Sequence, residues 1–203
     1  MVQYGFSGVD LDWEYPGAGD RGGLERDVTN YPLLLQMIRS VFAIRNRDFM
    51  ISFTAPSSYW YLQWFDLPEL MKWADYLNLM TYDLHGVWDE HDPFGSHIYA
   101  HTNITEIDAS LSLLWRNDVS PSKVNLGLAF YGRTFELEDP SCFQPGCRFS
   151  GAGAKGPKTD TAGILSFGEI QDLIASNKGS IFTTYDNVAG VNYMVYNEGK
   201  SCQ

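Results

Sequence analysis

The sequence predicts an α/β fold built on a parallel sheet with covered faces, and three observations predict it. Strand-like and helix-like runs alternate through the first 135 of the 203 residues, a rhythm of crossovers and not of hairpins. The four strand-like runs end at Glu14, Ala55-Pro56, Tyr82-Asp83 and Tyr131-Arg133, the position at which such folds place their chemistry. At 44% hydrophobic and 15% aromatic residues, the chain supports one sizeable core and a small second lobe.

The elements follow in order. Phe6 to Tyr15 reads as a strand, closed by Pro16-Gly17 and a polar, glycine-rich loop through Gly23. Asn30 to Arg45 reads as a helix with Leu34, Met37, Ile38, Val41 and Phe42 on one face and Pro32 in the first turn. Asp48 to Ala55 is an apolar strand stopped by Pro56, and a short helix follows near Leu67 to Trp73. Tyr76 to Asp83 is the third strand. Ile104, Ile107, Leu111, Leu114 and Trp115 mark the next helix, and Lys123 to Phe130 is a fourth strand leading into Tyr131-Gly132-Arg133. Beyond Phe135 the chain is richer in Gly, Pro and Cys. It holds one clear helix, Ser166 to Ala175, with Ser166 and Glu169 as a capping box, and short strands near Ile181 to Thr184 and Val191 to Tyr196. Two domains are expected, residues 1–135 and a small α+β lobe over 136–203.

The most informative stretch is Gly8-Val9-Asp10-Leu11-Asp12-Trp13-Glu14-Tyr15-Pro16. Strand residues two apart share a face at a spacing of about 6.6 Å, so Asp10, Asp12 and Glu14 line one side. Carboxylates are poor strand formers and repel one another, so such a row suits shared protons or an acid of raised pKa. An acidic solvent face is the bland reading. A magnesium site is another, but no glycine-rich phosphate cradle accompanies it. Trp13 and Tyr15 around Glu14 suit sugar chemistry.

Composition narrows the partners. A net charge of −11 argues against nucleic acid and anionic membrane, and no apolar run is long enough to span a bilayer. The first residues carry neither a basic region nor an apolar signal core. Cys142 and Cys147 are close enough to staple a small loop, which leaves Cys202 over. Asn103-Ile104-Thr105 is a glycosylation sequon, and Asn103 with Glu106 equally forms a helix cap. His97 and His101 have i,i+4 spacing, but no flanking ligands complete a zinc set with them, His85 or His91.

Ser7 to Pro16 resembles the signature of glycoside hydrolase family 18, usually written DGxDxDWEYP. Met80-Thr81-Tyr82-Asp83 resembles that family's sixth-strand motif, and Gly127 to Phe135 its seventh. Ala55 to Leu62, with Cys142 to Gly163, is similar to fungal chitinases of the killer-toxin-like subgroup. The resemblance implies an incomplete (β/α)8 TIM barrel in which strands four to seven are present, with residues 136–203 as the small insertion leading back toward the last barrel strand. A complete barrel takes about 250 residues, so the chain resembles the middle of such an enzyme, begun inside the catalytic strand.

The same resemblance implies a chitinase that hydrolyses β-1,4 bonds between N-acetylglucosamine units with retention, using the substrate's own acetamido group as nucleophile. Glu14 is then the proton donor, Asp12 orients the acetamido N–H, Asp10 shares its proton, and Tyr82 and Asp83 assist. Trp13, Tyr15, Trp60, Met80, Trp88, Tyr131 and Arg133 are the expected substrate-binding residues. No metal and no cofactor is expected, and chitin or its oligosaccharides are the partner of a secreted protein, monomeric when complete. The alternatives are an endo-β-N-acetylglucosaminidase of the same family and a non-catalytic oligosaccharide-binding protein. Weak or no activity is expected of the 203 residues alone. Ser7 stands where the family commonly has Asp; it can still hydrogen-bond Asp10 without adding charge, so an altered pH profile is expected.

Overall fold

A computed structural model describes residues 1–45, 47–176, 181–196 and 200–202, the last three by backbone alone. The chain forms two compact units, Met1–Thr81 with Asp108–Gly127, and Tyr82–Ile107 with Leu128–Gln203.

In the first unit the chain runs through β1 (Gly8–Leu11), α1 (Asp27–Ile44), β2 (Met50–Pro56), α2 (Tyr59–Leu62), α3 (Leu67–Leu70) and β3 (Tyr76–Met80). It returns through α4 (Ile104–Arg116), whose first turn belongs to the other unit, to β4 (Val124–Leu126). The strands pair in the order β1-β2-β3-β4, all parallel, with Asp10 opposite Ser52 and Thr54 opposite Asn78. Alternation decides the faces. Ile51, Phe53, Ala55, Leu77 and Leu79 are buried with Tyr31, Leu35, Leu70 and Leu114, while Ser52, Thr54 and Asn78 point the other way. Each fully buried large side chain in this cluster contributes about 1.5–3 kcal/mol.

Three sequence expectations change here. The first strand ends at Leu11, not Tyr15, because beyond it the chain leaves the ladder with β2 and bends at Glu14. The helix α1 begins at Asp27, whose carboxylate accepts the Leu24 N–H at 2.7 Å, so Pro32 lies inside the helix and not in its first turn. Its buried face is set by Tyr31, Leu35, Ile38 and Phe42, whereas Leu34, Met37 and Val41 are exposed. The helix is apolar most of the way round, so periodicity alone left the face ambiguous and contact with the sheet chose it. The fourth strand shortens to β4.

In the second unit the strands are β5 (Tyr131–Leu137), β6 (Phe149–Ala152), β7 (Ile164–Ser166), β8 (Phe182–Asp186), β9 (Val191–Tyr196) and β10 (Lys200–Cys202), with α5 (Phe167–Ser176) between β7 and β8. They pair antiparallel in the order β6-β5-β10-β9-β8, and β7 pairs with β5. A boundary at 135/136 falls inside β5, whose ladders with β6, β7 and β10 hold Tyr131–Leu137 to this sheet. Small cores form around Ile98, Phe135, Leu137 and Phe149 and around Leu165, Met194 and Tyr196.

The capping box at α5 forms as the sequence expects. The Ser166 hydroxyl accepts the Glu169 N–H at 3.3 Å, and Glu169 accepts the Ser166 N–H at 2.8 Å. A disulfide joins Cys142 and Cys147, and the side chain of Cys202 lies outside the described residues. No described helix is long and apolar enough to cross a membrane.

Candidate active site

The acid row survives the shortening of β1. Asp10, Asp12 and Glu14 are exposed, and the intervening Val9, Leu11 and Trp13 are half-buried against the core. Asp10 is the anchor of the row. It accepts hydrogen bonds from Ser52 Oγ at 2.5 Å, Thr54 Oγ1 at 2.9 Å and Asn78 Nδ2 at 2.9 Å, and Asn78 is in turn held by Asn125 at 3.0 Å. Four parallel strands thus supply one polar line. Among the described residues no hydrogen bond joins the Ser7 hydroxyl to Asp10; neighbouring strands supply the donors instead.

Asp12 holds its proton more tightly than an ordinary carboxyl. Partial burial raises its pKa first, and the neighbouring charges of Glu14 and Asp10, with a hydrogen bond to Glu14, raise it further.

Trp13 and Tyr15, expected to bind substrate, are engaged in packing. Trp13 meets Tyr31 edge-on at 5.2 Å, and Tyr15 is buried, stacked on Tyr61 at 4.3 Å. Desolvation and the nearby Glu14 carboxylate push the Tyr15 phenol well above its usual range. The Tyr31 hydroxyl donates to the Leu11 carbonyl at 3.0 Å, fixing the end of β1. Burying these rings stiffens the segment that carries Asp12 and Glu14. Met80 packs against the same core, and its carbonyl accepts the Ser57 hydroxyl at 2.7 Å. Trp60 is 67% exposed.

The second unit carries a separate cluster. Asp83 follows Tyr82 with a left-handed φ of 56°. Its Oδ1 accepts the Tyr131 hydroxyl at 2.6 Å and Arg133 Nε at 2.9 Å, and its Oδ2 meets Arg133 Nη2 at 2.6 Å. This two-pronged guanidinium–carboxylate pair is the strong kind of charged hydrogen bond. Burial would raise the Asp83 pKa, but His101 beside it, with the bonds from Arg133 and Tyr131, holds it well below the usual carboxylate range. The Arg133 guanidinium lies over the Trp88 ring at 4.7 Å, and Tyr82 meets Tyr131 edge-on at 6.4 Å. Gly86 makes the aromatic placement feasible, since a Cβ there would overlap the Trp88 ring.

The histidines are dispersed by role. His85, 2% exposed, bridges Asp89 at 2.7 Å and Glu106 at 3.0 Å; His101 bonds the Asp83 amide; His97 bonds the Phe94 carbonyl; His91 pairs with Glu90. Asn103 caps α4, its Oδ1 accepting the Thr105 N–H and its Nδ2 donating to Glu106. Sequence reasoning missed the donors to Asp10, although a signal existed: Ser52, Thr54 and Asn78 are polar at alternate positions of otherwise apolar strands. The contacts of His101 left no such trace.

A family model described as Glycosyl hydrolases family 18 matches residues 1–202, and the chain belongs to that family. It is 38% identical over 206 residues to the Secreted chitinase LysM12 of Penicillium expansum, covering 93% of this chain and 14% of that protein. It is 36% identical over 183 residues to the Killer toxin subunits alpha/beta of Kluyveromyces lactis, covering 88% of this chain and 16% of that one. The crystal structure of the Ostrinia furnacalis Group IV chitinase in complex with allosamidin matches with a TM-score of 0.84 at 28% identity. That match covers all of this chain and 55% of the other. The chain thus spans a small part of these fungal relatives and about half of the solved chain. Its fold is the expected α/β class, with β1 to β4 forming part of a TIM barrel.

Proposed function

We propose that the chain carries the catalytic acid segment of a chitinase-type glycoside hydrolase acting on β-1,4-linked N-acetylglucosamine. Glu14 gives its proton to the glycosidic oxygen as the acetamido carbonyl oxygen of the substrate attacks the anomeric carbon and the leaving sugar departs. Water then opens the cyclic intermediate and returns a proton to Glu14, so the configuration is retained. Asp12, bonded toward Glu14 and with its pKa raised there, turns to orient the acetamido N–H, while Asp10 takes the balancing charge within its three hydrogen bonds. Tyr82 and Asp83 assist at the acetamido group, and Tyr131, Arg133, Trp88 and Trp60 contact sugar. Chitin or its oligosaccharides are the substrate, and the protein acts outside the cell, as the name of its Penicillium relative suggests.

The observation that carries this reading is the fixed end of the row. Asp10 is held by Ser52, Thr54 and Asn78, and burial with the charges of Glu14 and Asp10 raises the Asp12 pKa beside Glu14. A solvent-facing acidic strand needs neither feature. The test is Glu14→Gln, assayed with a chromogenic chitotrioside and by oligosaccharide binding. Turnover is expected to vanish while binding persists; retained turnover removes Glu14 from the mechanism. A wild-type chain that binds without turnover selects the non-catalytic alternative.

A further inference from the structure

Asp83 stands in a backbone conformation that L residues rarely adopt, with φ at 56°. Something must hold it there, and the hydrogen bonds identify what. The Asp83 N–H donates to Nδ1 of His101 at 3.2 Å, and the next N–H, that of Leu84, donates to the His101 carbonyl at 3.1 Å. One residue, 18 positions away, thus receives two consecutive amide protons. His101 is 2% exposed, and its ring lies tilted on that of Tyr131 at 5.1 Å. Tyr131 itself donates to Asp83 Oδ1. The imidazole therefore touches both the backbone of Asp83 and a partner of its carboxylate.

We propose that His101 is a positioning residue. Its Nδ1 lone pair fixes the left-handed turn at Asp83, and its ring supports Tyr131, so that the carboxylate faces Tyr131 and Arg133. His101 Nδ1 also lies 3.5 Å from Asp83 Oδ1, but the closer contact is the Asp83 N–H at 3.2 Å, and that donor needs Nδ1 bare and the ring proton on Nε2. The lone pair is the working part, because an apolar substitute leaves a part-buried amide without that acceptor. This assignment rests on the reading of Asp83 as a group that serves hydrolysis.

Two substitutions separate acceptor from ring. His101→Asn puts a carbonyl oxygen close to the position of Nδ1 and removes the ring; His101→Phe keeps a ring and removes the acceptor. In the full chain, labelled with nitrogen-15, a coupling between the Asp83 amide nitrogen and His101 Nδ1 is expected across the hydrogen bond. Nδ1 is expected at the shift of an unprotonated ring nitrogen. The Asp83 amide and Arg133 Nε–H resonances are expected near their wild-type positions in His101→Asn and displaced in His101→Phe. Turnover of a chito-oligosaccharide is expected to fall at least tenfold in kcat for His101→Phe, with KM within twofold, and to recover in His101→Asn. A protonated Nδ1, or wild-type Asp83 and Arg133 resonances in His101→Phe, overturns the assignment. Unchanged kcat in His101→Phe does so as well. The resonance measurements need no turnover, so they stand or fall apart from the hydrolase reading, which Glu14→Gln tests.

Discussion

Raising the pH from 7 to 10 should selectively loosen the second unit through His85. Burial by itself lowers the pKa of this imidazole, but hydrogen bonds to Asp89 at 2.7 Å and Glu106 at 3.0 Å, with their charges, overcome that and push it up to about 9. The unfolded chain returns it to about 6.5. A group whose folded pKa is raised stabilises fully below the unfolded value and loses that contribution as pH rises through the folded one. The interval from about 6.5 to about 9, at about 1.4 kcal/mol per tenfold, corresponds to about 3 kcal/mol. His85→Gln removes the cation and leaves Asp89, 1% exposed, without its counter-charge. Urea unfolding followed by circular dichroism from pH 6 to pH 10 is the assay. The wild type should exceed the variant by about 3 kcal/mol near pH 6.5, and the gap should close as pH passes 9. A gap constant from pH 7 to pH 10 would refute the charged bridge and leave His85 as packing.

Three further outcomes follow from the geometry. Leu35→Ala, at a fully buried position of α1, should cost about 2–5 kcal/mol, whereas Met37→Ala on its exposed side should stay within about 0.5 kcal/mol; equal losses in thermal unfolding contradict the observed helix face. Glu169 is buried, and despite that burial its pKa is held at about 2 by hydrogen bonds from Thr159, Ser166 and Lys158. Its contribution is therefore present above the ordinary carboxyl range and lost as pH falls toward 2, so Glu169→Gln should flatten the acid limb of an unfolding profile; an unaltered limb counts against the anchor. Gly86→Ala should displace the Trp88 ring from Arg133, weakening oligosaccharide binding by calorimetry with little change in overall fold; wild-type affinity contradicts the role of Trp88 as a sugar platform.

Much of this was legible along the chain because it is local. The capping box at Ser166 depends on residues three apart and forms, while Asn103 caps α4 through the Thr105 N–H and bonds Glu106 by its side-chain amide. The two-residue period of Asp10, Asp12 and Glu14 held beyond the end of β1, since alternation needs only an extended backbone. The helix face of α1 was not legible, because Leu34, Met37 and Val41 are as apolar as the residues actually buried. Trp13 and Tyr15 look like sugar platforms by composition. Their rings also pack on Tyr31 and Tyr61, whose positions no neighbour in the sequence announces.

The sequence by itself determined the alternation of strands and helices, the spacing of the acids and the motifs of a glycosyl hydrolase family 18 chain. Tertiary structure alone decided who holds whom. Ser52 and Asn78 lie 42 and 68 residues from Asp10, and His101 lies 18 from Asp83. Side-chain direction follows from backbone geometry a few residues long, but a hydrogen-bond partner follows from strand register and loop closure. Those are set by burial of the whole core rather than by any stretch of it.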